Sequence, residues 1–284
     1  MNSNWKNFLL SHLAVLTVSG QDAAQFLQGQ ITCNVHDVTA THSSLGAMCN
    51  PKGRAITTFL LAKSGDDFLL ILPAELLETV KKRLSMYVLR AKVTLTDCSD
   101  SLCLLGFMAQ STDAFLASYQ QDGAVRINVG NRDLVIADAH NASVMFAQGV
   151  ETIDSMHWQT LDILGGIPWL TTATSEQFIP QMLNLDKLGG ISLTKGCYTG
   201  QEIVARTHYL GKAKRALFVA ECETATPEAN ASIIDTNGQI VGNVLSANDG
   251  KLLIVLQLGD TDTTQLQLKD YNQALLTLLT EEAS

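Results

Sequence analysis

The octet Lys195-Gly196-Cys197-Tyr198-Thr199-Gly200-Gln201-Glu202 sets a thiol between glycines, beside a lysine and just before a helix start. The thiolate is the nucleophilic form of cysteine, and both a neighbouring ammonium and the positive end of a following helix favour it. Gly196 and Gly200 let the backbone take positive φ or approach another group closely. Thr199, Gln201 and Glu202 give cap-like and acidic first-turn character ahead of the apolar Ile203-Val204-Ala205. The pattern predicts a solvent-facing, reactive Cys197. The octet alone leaves a second reading open, because free cysteine is also among the most buried residue types and packs as a small hydrophobe.

The elements that must position this thiol show in its flanks. Glu176-Gln177-Phe178-Ile179-Pro180-Gln181 and Leu188-Gly189-Gly190-Ile191-Ser192 lead into the octet, and Val204-Ala205-Arg206-Thr207 leaves it. From about residue 178 to 206 the chain resembles the YgfZ family. Val18-Ser19-Gly20-Gln21-Asp22, Phe26-Leu27-Gln28-Gly29-Gln30 and Pro51-Lys52-Gly53-Arg54 are similar, in the right order, to that family's N-terminal segments. The resemblance implies a folate-binding protein, related in shape to the aminomethyltransferase of the glycine cleavage system, that acts in iron–sulfur cluster maintenance and supports tRNA modification. It implies an α+β fold of two interwoven α/β portions around a central channel, plus a C-terminal β-barrel. The expected layout is an aminomethyltransferase-like region over 1–214, split near 97, and a barrel over 215–284.

The resemblance also assigns roles. Cys197 is the catalytic thiol, with Lys195, Gly196, Tyr198, Gly200, Gln201, Glu202 and Arg206 as its supporting motif. Tetrahydrofolate or a derivative is the implied cofactor, and the implied partners are iron–sulfur enzymes or assembly proteins. Trp158 matches a tryptophan that lines the family's folate site, where an aromatic face stacks on a flat ring. Read from its own helix, Trp158 is a core residue, and only the resemblance makes a ligand role competitive. Leu13 stands at the other position where the family carries a folate-contacting tryptophan, and Leu164 where aminomethyltransferase relatives carry a glutamate. Both departures imply a weaker grip on folate.

Composition limits the function classes. With 284 residues, 46% of them apolar, the chain can bury a sizeable core in two or three small domains. No apolar run reaches the roughly 18 residues of a membrane span, and Asn2, Asn4, Lys6 and Asn7 break up the N-terminus, so a cytoplasmic location is expected. The six cysteines are scattered without a C-x-x-C pair, which suggests reduced thiols and no self-contained metal site. A formal charge of −9 argues against a general nucleic-acid binder, and no direct tRNA contact is expected. Charge is nonetheless uneven: residues 191–215 hold five basic side chains and one acidic, whereas 216–284 hold two basic and ten acidic. This basic island suits a polyanionic small ligand such as a glutamylated folate, or is simply a solvated loop. The histidines show no metal-ligand spacing and receive no catalytic role.

Periodicity supplies the scaffold. Strands are predicted at 14–18, 44–48, 54–63, 68–72, 91–96, 102–107, 124–128, 133–137 and 143–146, with helices at 23–28, 74–87, near 113–119 and at 154–164. After Arg215, β-rich pieces at 216–220, 232–234, 239–245 and 251–257, separated by Asn-Gly and Asp-Gly turns, predict a small barrel or sandwich. Hairpins outnumber regular crossovers, which favours α+β over a doubly wound sheet. Three functions follow from these readings: a thiol-bearing folate-dependent accessory factor, a true aminomethyltransferase, or a noncatalytic binding module. The second needs an acid near the reacting nitrogen, and the segment where it would come, Leu70-Ile71-Leu72-Pro73-Ala74, is apolar.

Overall fold

The structure is a computed structural model, and it describes residues 6–108, 113–146, 151–153, 155–211, 213–259 and 265–279. The chain opens with strand β1 (Lys6–Leu9) and turns at once into β2 (Leu13–Ser19), followed by helix α1 (Ala23–Gln28). An antiparallel run follows: β3 (Ser44–Cys49), β4 (Ala55–Ser64) and β5 (Asp67–Pro73), then helix α2 (Leu77–Val88) and β6 (Thr94–Asp97). These build a five-stranded sheet of order β3-β4-β5-β2-β6. Its middle strands are covered on both faces, which is why 55–62 reads as a continuous run with no polar alternation. Helix α2 buries Leu77, Val80 and Leu84 of the predicted stripe, and leaves Lys82 exposed and Lys81 half-buried.

The second cycle comprises β7 (Leu102–Met108), β8 (Ser118–Gln121), β9 (Ala124–Asn128), β10 (Arg132–Asp138), helix α3 (Ala139–Phe146), β11 (Glu151–Ile153) and helix α4 (Ser155–Leu164). Its six-stranded sheet has the order β11-β1-β7-β10-β9-β8, so the N-terminal β1 is lent to the later sheet and the two portions interweave. Two expectations fail here. The helix near 113–119 is instead a loop entering β8, because Asp122 and Gly123 (φ +51° and +76°) form the two-residue turn of a β8–β9 hairpin. The strand at 143–146 is the end of α3, whose start is fixed by Asp138 accepting the Asn141 backbone N–H at 2.7 Å. The helix predicted at 154–164 is observed as α4; Asp154 itself lies outside the described residues.

Helix α5 (Gln201–Leu210) begins with the last two residues of the octet, and β12 (Arg215–Glu221), β13 (Ser232–Ile234), β14 (Ile240–Asn248), β15 (Lys251–Gln257), β16 (Leu266–Leu268) and β17 (Leu275–Leu278) close into a six-stranded barrel. Alternation along β12 is shared between two cores: Ala216, Phe218 and Ala220 fill the barrel, while Leu217 and Val219 join the core of the two sheets. β15 does the same with Leu252, Ile254 and Leu256 inward and Leu253 and Val255 outward. Both faces of these strands are therefore apolar, and the barrel is welded to the rest of the molecule by burial.

Candidate functional site

The site is laid on a short stretch, residues 31–33, that is bridged to β3. Ile31 bridges Met48, and the Thr32 N–H donates to the Ala47 carbonyl at 2.9 Å. The incoming segment is tied to it: the Ser192 N–H donates to the Thr32 carbonyl (2.9 Å) and the Thr32 hydroxyl to the Gly190 carbonyl (2.6 Å). Lys195 then turns inward, its Nζ donating to the Ile31 carbonyl at 2.8 Å and the Cys33 carbonyl at 2.6 Å. Its ammonium lies 5.3 Å from the centre of the Tyr198 ring.

Gly200 anchors the other end of the loop. It has φ +85°, and a β-carbon there would lie 2.5 Å from the Asn50 carbonyl oxygen and 2.9 Å from the Gly53 Cα. Only glycine fits such an approach. Gly53 (φ +70°) in the β3–β4 turn presses in turn on Ile203 of α5, and Gln181 donates to the Val204 carbonyl at 2.6 Å. Asn50 organises that turn: its Oδ1 accepts the Lys52 and Arg54 N–H groups, and its Nδ2 donates to Glu176 at 2.7 Å. Glu176 also takes Arg83 of α2 at 2.6 Å. Two details of the expected loop change. Gly200 rather than Thr199 stands at the α5 N-cap, with no side-chain cap. Gly196 has no positive φ, and a β-carbon there would meet nothing within 4 Å, so its backbone conformation makes no demand for glycine.

Between these anchors Cys197 is exposed, the one exposed thiol of the six. Cys33 and Cys49 are buried beneath the loop, and burial pushes their thiols up to about 11 and about 12. They are inert at neutral pH. Burial lowers the Lys195 amine to about 8, opposed by Cys33, and burial raises the Tyr198 phenol. The Tyr198 hydroxyl is buried and has no hydrogen-bond partner among the described residues. Lys195 therefore acts from below rather than as an exposed cation beside the sulfur. Gln201 and Glu202 open α5, with Glu202 in its first turn and exposed; Arg206 lies on the exposed side of the same helix. Lys212, part of the basic island, lies outside the described residues.

Comparison with known proteins adds the family. The chain is 32% identical to the tRNA-modifying protein YgfZ of Colwellia psychrerythraea strain 34H, over 94% of this chain and 90% of that one. It is 34% identical to the YgfZ of Klebsiella pneumoniae strain 342, covering 86% and 82% of the two chains. The chain belongs to the YgfZ family. The YgfZ of Vibrio atlanticus strain LGP32 is 30% identical over 95% of this chain and 87% of its own. The family described as the GCVT N-terminal domain matches residues 6–129. Among solved structures, the glycine cleavage system aminomethyltransferase T from Bartonella henselae superposes with TM-score 0.75 at 13% identity, covering 98% of this chain and 85% of that one. The fold is thus aminomethyltransferase-like, mixed α/β with a closed six-stranded C-terminal barrel.

The two folate positions implied by resemblance to YgfZ lie elsewhere and are core residues. Trp158 on α4 is 1% exposed, with the Arg132 guanidinium 4.4 Å from its ring centre and Phe8 tilted against it at 5.6 Å. A β-carbon at Gly106 would lie 2.4 Å from the ring, so β7 closes over it too. Arg132 donates to the Trp158 carbonyl (3.0 Å) and pairs with the buried Asp162 (2.8 Å), which also accepts Trp169 Nε1 (2.9 Å). As placed, Trp158 offers no open face for a pterin. Leu13 is buried in β2 opposite Pro73, and Leu164 is exposed at the end of α4.

Sequence reasoning passed over Cys33, Cys49 and Asn50 as parts of the site. Asn50 had a signal, since it immediately precedes Pro51-Lys52-Gly53-Arg54, one of the segments that resembled the family. The two buried thiols had none, because what places them is the sheet register that brings β3 under a loop about 150 residues later.

Proposed function

We propose that this chain is an accessory protein for the assembly or repair of iron–sulfur enzymes, that its working group is the Cys197 thiol, and that it supports tRNA modification through those enzymes. The observation that carries the reading is the contrast among the thiols. Cys197 alone is exposed, on a loop held at both ends by buried hydrogen bonds and a glycine contact that no other residue permits. A sulfur held this way is presented to a partner with little orientational freedom to lose. Membership in a family whose relatives are named tRNA-modifying proteins supports the pathway, and the net charge of −9 supports an indirect route rather than a grip on tRNA.

Tetrahydrofolate or a derivative is the proposed ligand of residues 1–214, whose two portions divide near 97, with 215–284 as the barrel. The likeness of fold supports this reading. Trp158 and Leu13, the contacts that resemblance to the family implies, are both buried in the arrangement described. An aminomethyltransferase is the alternative raised by the fold, but Leu70, Ile71 and Leu72 are buried in β5 where that chemistry would need an acid. A noncatalytic module is the remaining alternative. The test compares cells carrying the wild-type gene, Cys197→Ala or no gene, measuring iron–sulfur enzyme activities. The proposal expects Cys197→Ala to match the deletion at equal protein level, and activity equal to wild type would favour the noncatalytic module.

A further inference from the structure

Lys195 is an amine of the motif that the proposed chemistry leaves without a task. It is 9% exposed, and its Nζ faces two carbonyls and one aromatic ring. Among the described residues no carboxylate forms an ion pair with it. A buried ammonium compensated only by neutral dipoles is held at a cost, since the charge loses its water without gaining a counter-ion. The hydrogen bonds themselves do not need the charge. A neutral amine keeps two N–H groups, one for each carbonyl.

We propose that Lys195 is a positioning residue for Cys197, and that its amine latches the 192–200 loop onto residues 31–33, the latch being tighter when the amine is neutral than when it is protonated. The proposal rests on the reading of Cys197 as the working thiol and adds what sets its posture. The geometry supplies the reason: loop opening would return Nζ to water, where the charged form is favoured, whereas the closed loop offers acceptors but no anion. The closed-state value near 8, against 10.5 for a free lysine, agrees in sign. Because the closed state binds the proton less tightly, raising the pH from 7 to 9 shifts the loop toward closure.

The neighbours leave this window clear. Cys33 from the 31–33 stretch and Cys49 from β3 keep their protons to about 11 and about 12, and the Tyr198 phenol is raised as well. Asp37, in the turn after Cys33, acts on the Cys33 thiol. Ser44 of β3 reaches that thiol too and carries no charge. From α5, the exposed Glu202 and Arg206 are the charged side chains nearest in sequence.

Cys33 reports on the latch, because its carbonyl is one of the two acceptors and its sulfur is buried under the loop. The experiment is native-state alkylation with iodoacetamide of the full chain carrying Cys197→Ser, read at Cys33 by mass spectrometry from pH 7 to 9. Rates are divided by those of the unfolded chain at the same pH, which gives the opening equilibrium. The proposal predicts that this equilibrium falls about tenfold between pH 7 and 9, as a proton released on closing requires. It predicts no such fall when Lys195→Met is added. An opening equilibrium that stays flat or rises with pH in the chain retaining Lys195 overturns the proposal, as does the same fall in Lys195→Met. Where Lys195→Met fails to fold, the pH series on the chain retaining Lys195 decides by itself. Since the readout is a labelling rate, it stands or falls independently of whether Cys197 is needed in cells.

Discussion

Replacing Gly200 by alanine tests the loop's construction at its tightest point. The added β-carbon faces two penalties. Holding a non-glycine residue at φ +85° costs about 1–2 kcal/mol. The contacts at 2.5 Å to the Asn50 oxygen and 2.9 Å to the Gly53 Cα are both to backbone, so neither neighbour can rotate away. Forcing them apart costs a further 1–3 kcal/mol or so, as overpacking does. The sum, roughly 2–5 kcal/mol, should lower the melting temperature by at least about 3 °C. Because Asn50 also carries the Lys52, Arg54 and Glu176 contacts, the strain should spread into the β3–β4 turn. Gly196→Ala is the internal control: with no positive φ and nothing within 4 Å of the new carbon, it should change stability by less than about 0.5 kcal/mol. Thermal and urea unfolding of the two variants beside wild type gives the answer. Equal melting of Gly200→Ala and wild type would refute the clamp between the octet and the β3–β4 turn.

Further expectations concern the thiols and acid stability. Site-resolved alkylation at pH 7.5 should modify Cys197 first, the half-buried Cys98 and Cys103 later, and Cys33, Cys49 and Cys222 last; a buried thiol reacting ahead of Cys197 would contradict the arrangement. His12 has both ring nitrogens buried without partners among the described residues, and burial lowers it from 6.5 to about 4. Between those values the unfolded chain takes up a proton that the folded chain refuses, so stability present above pH 6.5 is lost as the pH falls through 4. The loss attributable to His12 is at most about 3 kcal/mol. His12→Leu should flatten that part of the stability–pH curve, and an unchanged curve would count against the burial of the ring.

Much of the scaffold was legible because its strands and helices carry local signals. Alternating or continuous apolar runs bounded by Gly and Asp placed β2 to β5, β9 and β15 nearly residue for residue, and the stripe Leu77, Val80, Leu84 placed α2. The errors have physical causes. β8 has weak strand chemistry of its own and exists because the Asp122-Gly123 turn folds it onto β9. Ser143 to Phe146 looks strand-like only when the Asp138 cap upstream is overlooked. β1 and β11 are too short to signal alone; β1 is fixed by pairing with β7 and β11 by pairing with β1.

The site was legible in its chemistry and less so in its posture. Gly200 takes the positive φ and the close approach that its place before a helix suggested, and Cys197 is exposed as the glycines around it implied. Lys195 could not be placed from spacing, because a lysine beside a thiol in sequence can point either way. Its direction is settled by the carbonyls of Ile31 and Cys33, which arrive from more than 160 residues earlier. Trp158 shows the same limit: the amphipathic pattern of α4 was visible, but not that Arg132 and Gly106 would cover the ring.

The central claim is that Cys197 works by its sulfur and not by packing. The most direct measurement is the level of modified tRNA nucleosides in a deletion strain complemented with Cys197→Ala, with the variant's abundance and melting temperature measured alongside. An exposed side chain should leave the melting temperature within about 2 °C of wild type when truncated. A working sulfur gives a stable variant that restores no more modification than the empty strain, and a stable variant that restores the wild-type level would show that the sulfur is dispensable.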